Sequence, residues 1–406
     1  MPESPYAMLS VQDALRLVLE HTPRLAPVRL PLRALNGRAL AEDLVSSEAI
    51  PPFAAAAKDG FAVIAADGPG WRRLVGTQMA GYVGDTRVTP GTVVRITTGA
   101  PLPPGADAVV MVEYTQEQGG LVEIQVRVTP LADVRPPGID LGIGQRVLSQ
   151  GQRLGPAEIG LLASLGLSEA LVFPAPRVAV LSTGDELVEP GAALAPGQIR
   201  DSNRFSLMAA VQEAGGEPLD LGVARDRPGD LEGRVLDGLA AADTLVTSGG
   251  VSMGQLDLLK PLLEMQGTVH FGRVNMKPGK PLTFATIADK PVFALPGFPV
   301  SSLVAFELFV RPALLQMQGR RDLTRLQVTV RLAHAVHHDP QRWEFVRAVV
   351  RSEENGLAAA VTGSQSSGRL LSMVGANALL QLAPGSAELP AGAPVSALLL
   401  NANHPR

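Results

Sequence analysis

Thr247-Ser248-Gly249-Gly250-Val251-Ser252, Lys277-Pro278-Gly279-Lys280-Pro281 and Pro296-Gly297-Phe298-Pro299-Val300-Ser301 are three loops in one stretch, and their spacing decides the fold. Each follows a short apolar run that reads as a buried strand: Thr244–Thr247, Val269–Val274 and Val292–Leu295. The first and third loops run into helical patterns, from Gln255 and from Ser301. Paired glycines let backbone N–H groups turn toward a ligand, and a helix start behind them favours an anion. Lys277 and Lys280 add point charges suited to phosphate or another oxyanion. Pro296 and Pro299 stiffen the third turn.

Outward from these loops, apolar strands alternate with helices from Arg177 to about Gln318. Strands are expected at Val178–Leu181 and Leu219–Val223, and helices near Asn203–Ala214 and Gly229–Ala241. This alternation predicts an α/β domain with a mostly parallel sheet covered on both faces. Ligands bind beyond the carboxyl ends of such strands. Polar motifs fall there repeatedly: Thr183-Gly184-Asp185-Glu186, Arg225-Asp226-Arg227, Ser248–Ser252 with Asp257 after it, Arg273 with Lys277 and Lys280, and Pro296–Ser301. Asp185, Glu186, Asp226 and Asp257 are hard oxygen donors of the kind Mg²⁺ takes beside phosphates, although Asp185 and Asp257 also suit helix capping. The diglycine loop lacks the Gly-Lys-Ser/Thr ending of a nucleoside-triphosphate loop.

The flanks read differently. Ser10 to Asp13 looks like a capping box opening a helix with Val11, Leu15, Val18 and Leu19 on one face. Short strands with turn residues fill 46–145, and alternation resumes after Thr324. The expected division is an N-terminal linker and helical domain (1–45 plus 144–175), an inserted β-rich domain (46–143), the α/β domain (176–324) and a C-terminal β-domain (325–406). His334, His337 and His338 with Asp339 are expected to be surface groups, because neighbours on a strand face opposite ways. Gly363 to Arg369 reads equally as an oxyanion-binding turn or a plain loop.

Composition narrows the function. Net charge is −4 and aromatic residues are 4%, so neither a basic footprint nor stacking platforms for nucleic acid are present. The absence of cysteine excludes disulfides, thiolate catalysis and cysteine-ligated metals. No membrane-spanning run and no leader is read from the sequence, so a cytoplasmic protein is expected.

The motifs also match a known family. Thr183-Gly184-Asp185-Glu186-Leu187, Asp201-Ser202-Asn203, Ser248–Ser252, Lys277–Pro281 and Leu295–Ser301 resemble molybdopterin molybdenumtransferase, and are similar to the gephyrin E-domain. Asp59-Gly60-Phe61-Ala62, Thr98-Gly99-Ala100-Pro101 and Asp107-Ala108-Val109-Val110 extend the likeness over nearly the whole chain. The resemblance implies an elongated homodimer of four-domain subunits. It implies reaction of adenylylated molybdopterin with molybdate, dependent on Mg²⁺, to give molybdenum cofactor and AMP. An adenylyltransferase and cofactor-accepting enzymes are further implied partners. The family's acidic positions fall on Asp59, Asp140, Glu186, Asp226 and Asp257, with Glu186, Asp226 and Asp257 as metal ligands. Its basic and hydroxyl positions fall on Thr98, Arg135, Arg273, Lys277, Lys280, Arg347 and Ser367. Lys58, Arg273 and Phe298 depart from the residues commoner in the family. A stand-alone adenylyltransferase and a peptide-binding scaffold are the rival readings; the intact carboxylate set favours catalysis.

Overall fold

The computed structural model describes residues 6–225, 227–250 and 258–400. Close Cα packing divides the chain into two units. One joins 1–41, 151–156 and 169–406; the other joins 42–150 and 157–168.

Helix α1, Val11–Glu20, opens as the capping box predicts: Ser10 Oγ accepts from the Asp13 N–H at 3.0 Å. It buries Val18 fully, as expected, together with Ala14, while Val11, Leu15 and Leu19 are only half-buried.

The smaller unit is built on a six-stranded sheet. Its strands are β1 Gly60–Val63, β2 Gly70–Gln78, β3 Thr92–Ile96, β4 Ala108–Met111, β5 Thr115–Gln118 and β6 Leu121–Ile124, in the order β4-β1-β3-β2-β6-β5. Alternating side chains feed two separate apolar clusters. One holds Ala62, Val94, Ile96 and Val109, the other Phe61, Val63, Val93 and Val110. A sheet with both faces buried explains the near-continuous apolar runs.

The larger unit carries the α/β arrangement. In chain order it comprises β7 Arg177–Thr183, α2 Asn203–Glu213, β8 Glu217–Ala224, α3 Pro228–Ala241, β9 Thr244–Ser248, α4 Leu259–Gln266, β10 Thr268–Phe271, the two-residue β11 Met276–Lys277, β12 Thr283–Ile287 and β13 Lys290–Leu295. The sheet order is β8-β7-β9-β13-β12-β10. The first four strands are parallel; β12 is antiparallel to both β13 and β10. Strand β10 therefore points the same way as the parallel four, and its loop emerges on the same edge. It ends at Phe271, short of the expected Val274, and β12 is a strand the apolar pattern did not reveal. Helix α2 closes as predicted: Gly215, at φ +82°, donates to Gln212 O and Gly216 to Val211 O.

Pro299–Met317 forms one continuous 19-residue helix, made of α5 Pro299–Ala305, a π-turn Phe306–Val310 and α6 Arg311–Met317. This corrects the expectation that no run reaches spanning length: with a mean hydropathy of 1.3 it passes on length and composition. It is 78% buried within the fold, as befits a core helix.

The C-terminal strands are β14 Gln327–Leu332, β15 Trp343–Glu353, β16 Gly356–Val361, β17 Ala378–Leu382 and β18 Pro394–Leu399. The order is β11-β15-β16-β14-β18-β17, and β15 also pairs with β17, which closes five strands into a barrel. The little strand β11 thus leaves the α/β domain and joins the barrel beside β15, with Lys277 opposite Glu344. His337 is exposed as expected, but His338, just past the two-residue strand Val336–His337, is only 8% exposed and its Nδ1 is buried without a partner among the described residues.

Candidate functional site

The carboxyl edge of the α/β sheet gathers the three loops. Gly249 and Gly250 follow β9 at φ +94° and +67°, a backbone region that glycine occupies freely. A Cβ on Gly249 would sit 2.6 Å from the Thr183 carbonyl oxygen, and one on Gly250 2.9 Å from Thr183 Oγ1. The diglycine turn therefore lies directly against the end of β7. Its Gly249 N–H donates to Leu295 O at 3.1 Å, so this amide is committed to β13 and does not face a ligand, contrary to expectation. Asn203, at the start of α2, donates to Ser248 Oγ at 2.7 Å and to Gly297 O at 2.8 Å. One amide group thereby ties the first loop to the third. Ser302 Oγ donates to Pro296 O, within reach of Ser248 Oγ at 3.4 Å. Ser301 is buried at the start of α5.

The loop after β7 is fixed from behind. Gly184 N–H donates to Ala224 O, and Arg225 Nη1 donates to Asp185 O and Leu187 O. The Glu186 carboxylate folds back over Gly184, so close that a Cβ there would lie 2.6 Å from it. Thr183 Oγ1 is buried and has no hydrogen-bond partner among the described residues. Ser182 Oγ donates to Asp201, whose other oxygen receives Arg204 Nε at 2.9 Å. Burial opposes the Arg204 charge, but hydrogen bonds to Asp220, Asp201 and Glu189 outweigh it and hold its pKa above the usual value.

The lysine loop meets the third loop and the barrel. Gly279 passes close to Ser301 O, and Val300 N–H donates to Ser367 O at 3.1 Å. Gly368 lies beneath the exposed Phe298 ring. Lys277 Nζ stands 3.1 Å from Glu344 Oε1, and it lines a cavity of about 480 Å³ with His337, His338, Asp339, Pro340 and Gln341. Lys280 is exposed and forms no ion pair among the described residues; Arg273 is half-buried and its carbonyl accepts from Leu9. Arg347, three residues beyond Glu344 on β15, has no exposed surface. Its guanidinium donates to Ser372 Oγ, Phe345 O and Ser366 O, so it holds the 365–372 loop from inside. Burial pushes it down to about 10, with Glu344 opposing, which leaves it charged at neutral pH.

The other family-implied residues form their own group within the smaller unit. Asp59 accepts from the Thr98 N–H at 2.7 Å and from its hydroxyl at 3.1 Å. Arg135 pairs with Asp140. The short strands Ala55–Ala56 and Val134–Arg135 pair, and Gly99 N–H donates to Ala56 O, so these residues occupy neighbouring segments.

Asp226, Val251, Ser252 and Asp257 lie outside the described residues. Among the described residues no three His, Asp or Glu side chains form a cluster that could hold a metal. Of the three metal ligands that the resemblance implies, Glu186 alone lies among the described residues. Sequence reasoning did not single out Asn203, Arg204 or Glu344 as site residues. The signal for Asn203 was its helix-start position; Arg204 and Glu344 carried none, since their contacts to Asp220 and Glu189 and to Lys277 join segments far apart in sequence.

Comparison with known proteins adds to this geometry. Residues 9–166 match the family model of the MoeA N-terminal region (domains I and II), 179–316 a probable molybdopterin binding domain, and 329–400 the MoeA C-terminal region (domain IV). Molybdopterin molybdenumtransferase 2 of Mycobacterium tuberculosis is 36% identical over 399 residues, covering 95% of this chain and 98% of the relative. Gephyrin of Dictyostelium discoideum is 39% identical over 98% of this chain, which spans 63% of gephyrin's length. Two crystal structures of molybdopterin biosynthesis MoeA proteins from Pyrococcus horikoshii superpose with TM-scores of 0.83 and 0.82, at 33% and 28% identity, over 97% of this chain and all of theirs.

Proposed function

Since the chain belongs to the molybdopterin molybdenumtransferase family, we propose that it inserts molybdenum, taken up as molybdate, into adenylylated molybdopterin and releases AMP. The observation that carries this reading is the meeting of the diglycine, lysine and Pro-Gly-Phe-Pro loops at one sheet edge. Both substrates are anions, and the edge offers Lys277, Lys280 and Arg273 to them. Thr183 Oγ1, buried and without a partner among the described residues, is a hydroxyl that a phosphate oxygen could engage. Lys277 neutralises charge where an oxyanion docks, and the packed loops hold it there without rearrangement, which is the condition for electrostatic catalysis.

Glu186, Asp226 and Asp257 are oxygen donors of the type Mg²⁺ accepts. Mg²⁺ bound there would screen the pyrophosphate charge. With no cysteine in the chain, no protein thiolate competes with the pterin sulfurs for molybdenum. We further propose a cytoplasmic homodimer that receives its substrate from the adenylyltransferase and passes the cofactor to acceptor enzymes. The family likeness supports both points, and light scattering at twice the chain mass would check the dimer.

The test is to incubate the protein with adenylylated molybdopterin, Mg²⁺ and graded molybdate. AMP release that depends on molybdate is expected. Release without molybdate would mean plain hydrolysis, and no release would overturn the transferase reading. Asp226→Ala and Asp257→Ala are each expected to abolish turnover and to weaken Mg²⁺ binding in calorimetry while leaving a folded dimer; full activity in either would remove it from the site.

A further inference from the structure

We infer that Glu344 is the positioning residue of the oxyanion site, its buried carboxylate fixing the Lys277 ammonium where the oxyanion arrives. The inference rests on the transferase reading above. Lys277 and Glu344 are register partners across the parallel pair of β11 and β15. Glu344 Oε1 lies 3.1 Å from Lys277 Nζ, and Oε2 accepts the Asp339 N–H at 2.8 Å. Both carboxylate oxygens are thus engaged. The Glu344 side chain is 4% exposed while that of Lys277 is 40% exposed.

The asymmetry of exposure gives the pair its direction. A buried carboxylate must keep its cation, because the desolvated charge has no water to fall back on. Among the described residues Lys277 is the cation it pairs with. The ammonium has three donors, and one satisfies Glu344. The remaining two belong to the exposed side of Lys277, which lines the cavity with His337 to Gln341. Freed from Glu344, the four-carbon stem would sample many rotamers, and anion binding would have to order it again. The second oxygen's bond to Asp339 prevents the carboxylate from swinging with the lysine.

Charge alone makes the opposite forecast. Removing a carboxylate beside the anion site would strengthen attraction to an oxyanion. The direction of change therefore separates placement from simple electrostatics. E344Q keeps the size and an acceptor for the Asp339 N–H, and E344D keeps the charge but withdraws it from Lys277.

The experiment measures molybdate-dependent AMP release by the full chain at saturating adenylylated molybdopterin, with circular dichroism as the folding control. Both variants are expected to raise the KM for molybdate, E344Q by about tenfold, with kcat changed less than about threefold. In a K277Q background E344Q should add nothing further, whereas a merely structural role would multiply the two effects. If E344Q does not fold, E344D decides, because charge without placement should still raise the KM. A KM that is unchanged or lower, or effects that multiply, overturns the inference. Wild-type protein without molybdate-dependent release would instead sink the transferase reading.

Discussion

At the scale of the residue, the site is held by groups that touch no ligand. Asn203 makes two hydrogen bonds, to Ser248 Oγ and Gly297 O, and so ties the first loop to the third through one side chain. Asn203→Ala should cost about 1–2 kcal/mol of stability through the unpaired Gly297 carbonyl. Steady-state kinetics should show a loss in kcat/KM of about tenfold to a hundredfold from loop misplacement; unchanged kinetics would deny the bridge a role. Lys277 was legible in the sequence because it opens the Lys-Pro-Gly-Lys-Pro motif, where turn residues stand beside two lysines. Arg347 was not. The resemblance implies a substrate contact, yet the guanidinium is turned inward to Ser372, Phe345 and Ser366. An arginine inside the apolar run Phe345–Val350 does not disclose whether a loop from elsewhere will cap it.

At the scale of the element, two local features make separate forecasts. His21, capping α1, stacks on His270 of β10 with ring centroids 3.8 Å apart. Burial first, then the neighbouring His21 charge, lowers the His270 pKa below its usual 6.5. The unfolded chain thus takes up the proton before the folded one. This contribution is complete above pH 6.5 and is lost as the pH falls below it toward the folded value. Thermal midpoints should drop on acidification through that window, and His270→Gln should flatten the drop; an equal drop in the variant would assign it elsewhere.

The second feature is the hairpin from β12 to β13. Ile287 pairs with Lys290, so Ala288 and Asp289 alone make the turn, at φ +47° and +61°. Both central residues at positive φ are the mark of a type I′ turn, which asparagine-glycine usually signals. Ala-Asp gives no such signal, which is why β12 escaped notice while the glycine-marked loops were found. Ala288→Asn with Asp289→Gly should stabilise the protein by about 1–2 kcal/mol. Chemical denaturation checks this, with no gain as the contrary outcome.

At the scale of the whole molecule, the βα alternation was legible because each buried strand announced itself with a polar loop. The docking of β11 on the barrel was not, since β11 is two residues long and its partner Glu344 lies 67 positions from Lys277. The smaller unit draws its two apolar clusters from its own strands, and the core of the larger unit is drawn from α1, the α/β sheet and the barrel. Units with separate cores unfold as separate cooperative blocks. Scanning calorimetry should therefore resolve two transitions, and a single one would show the blocks to be energetically fused.

The π-turn at Phe306–Val310 has an evolutionary reading. Such a turn holds one residue more than an α-helical path would need, so it has the form of a single inserted codon. Removing that residue would close the wide turn into a plain α-helix and leave α6 on its present face. Ala313, Leu314 and Met317 would still face the core, whereas deleting a residue from α6 itself would rotate everything after it by about 100°. Drift in this gene should consequently tolerate the loss of one residue between 306 and 310 better than a loss from the α-helical turns beside it.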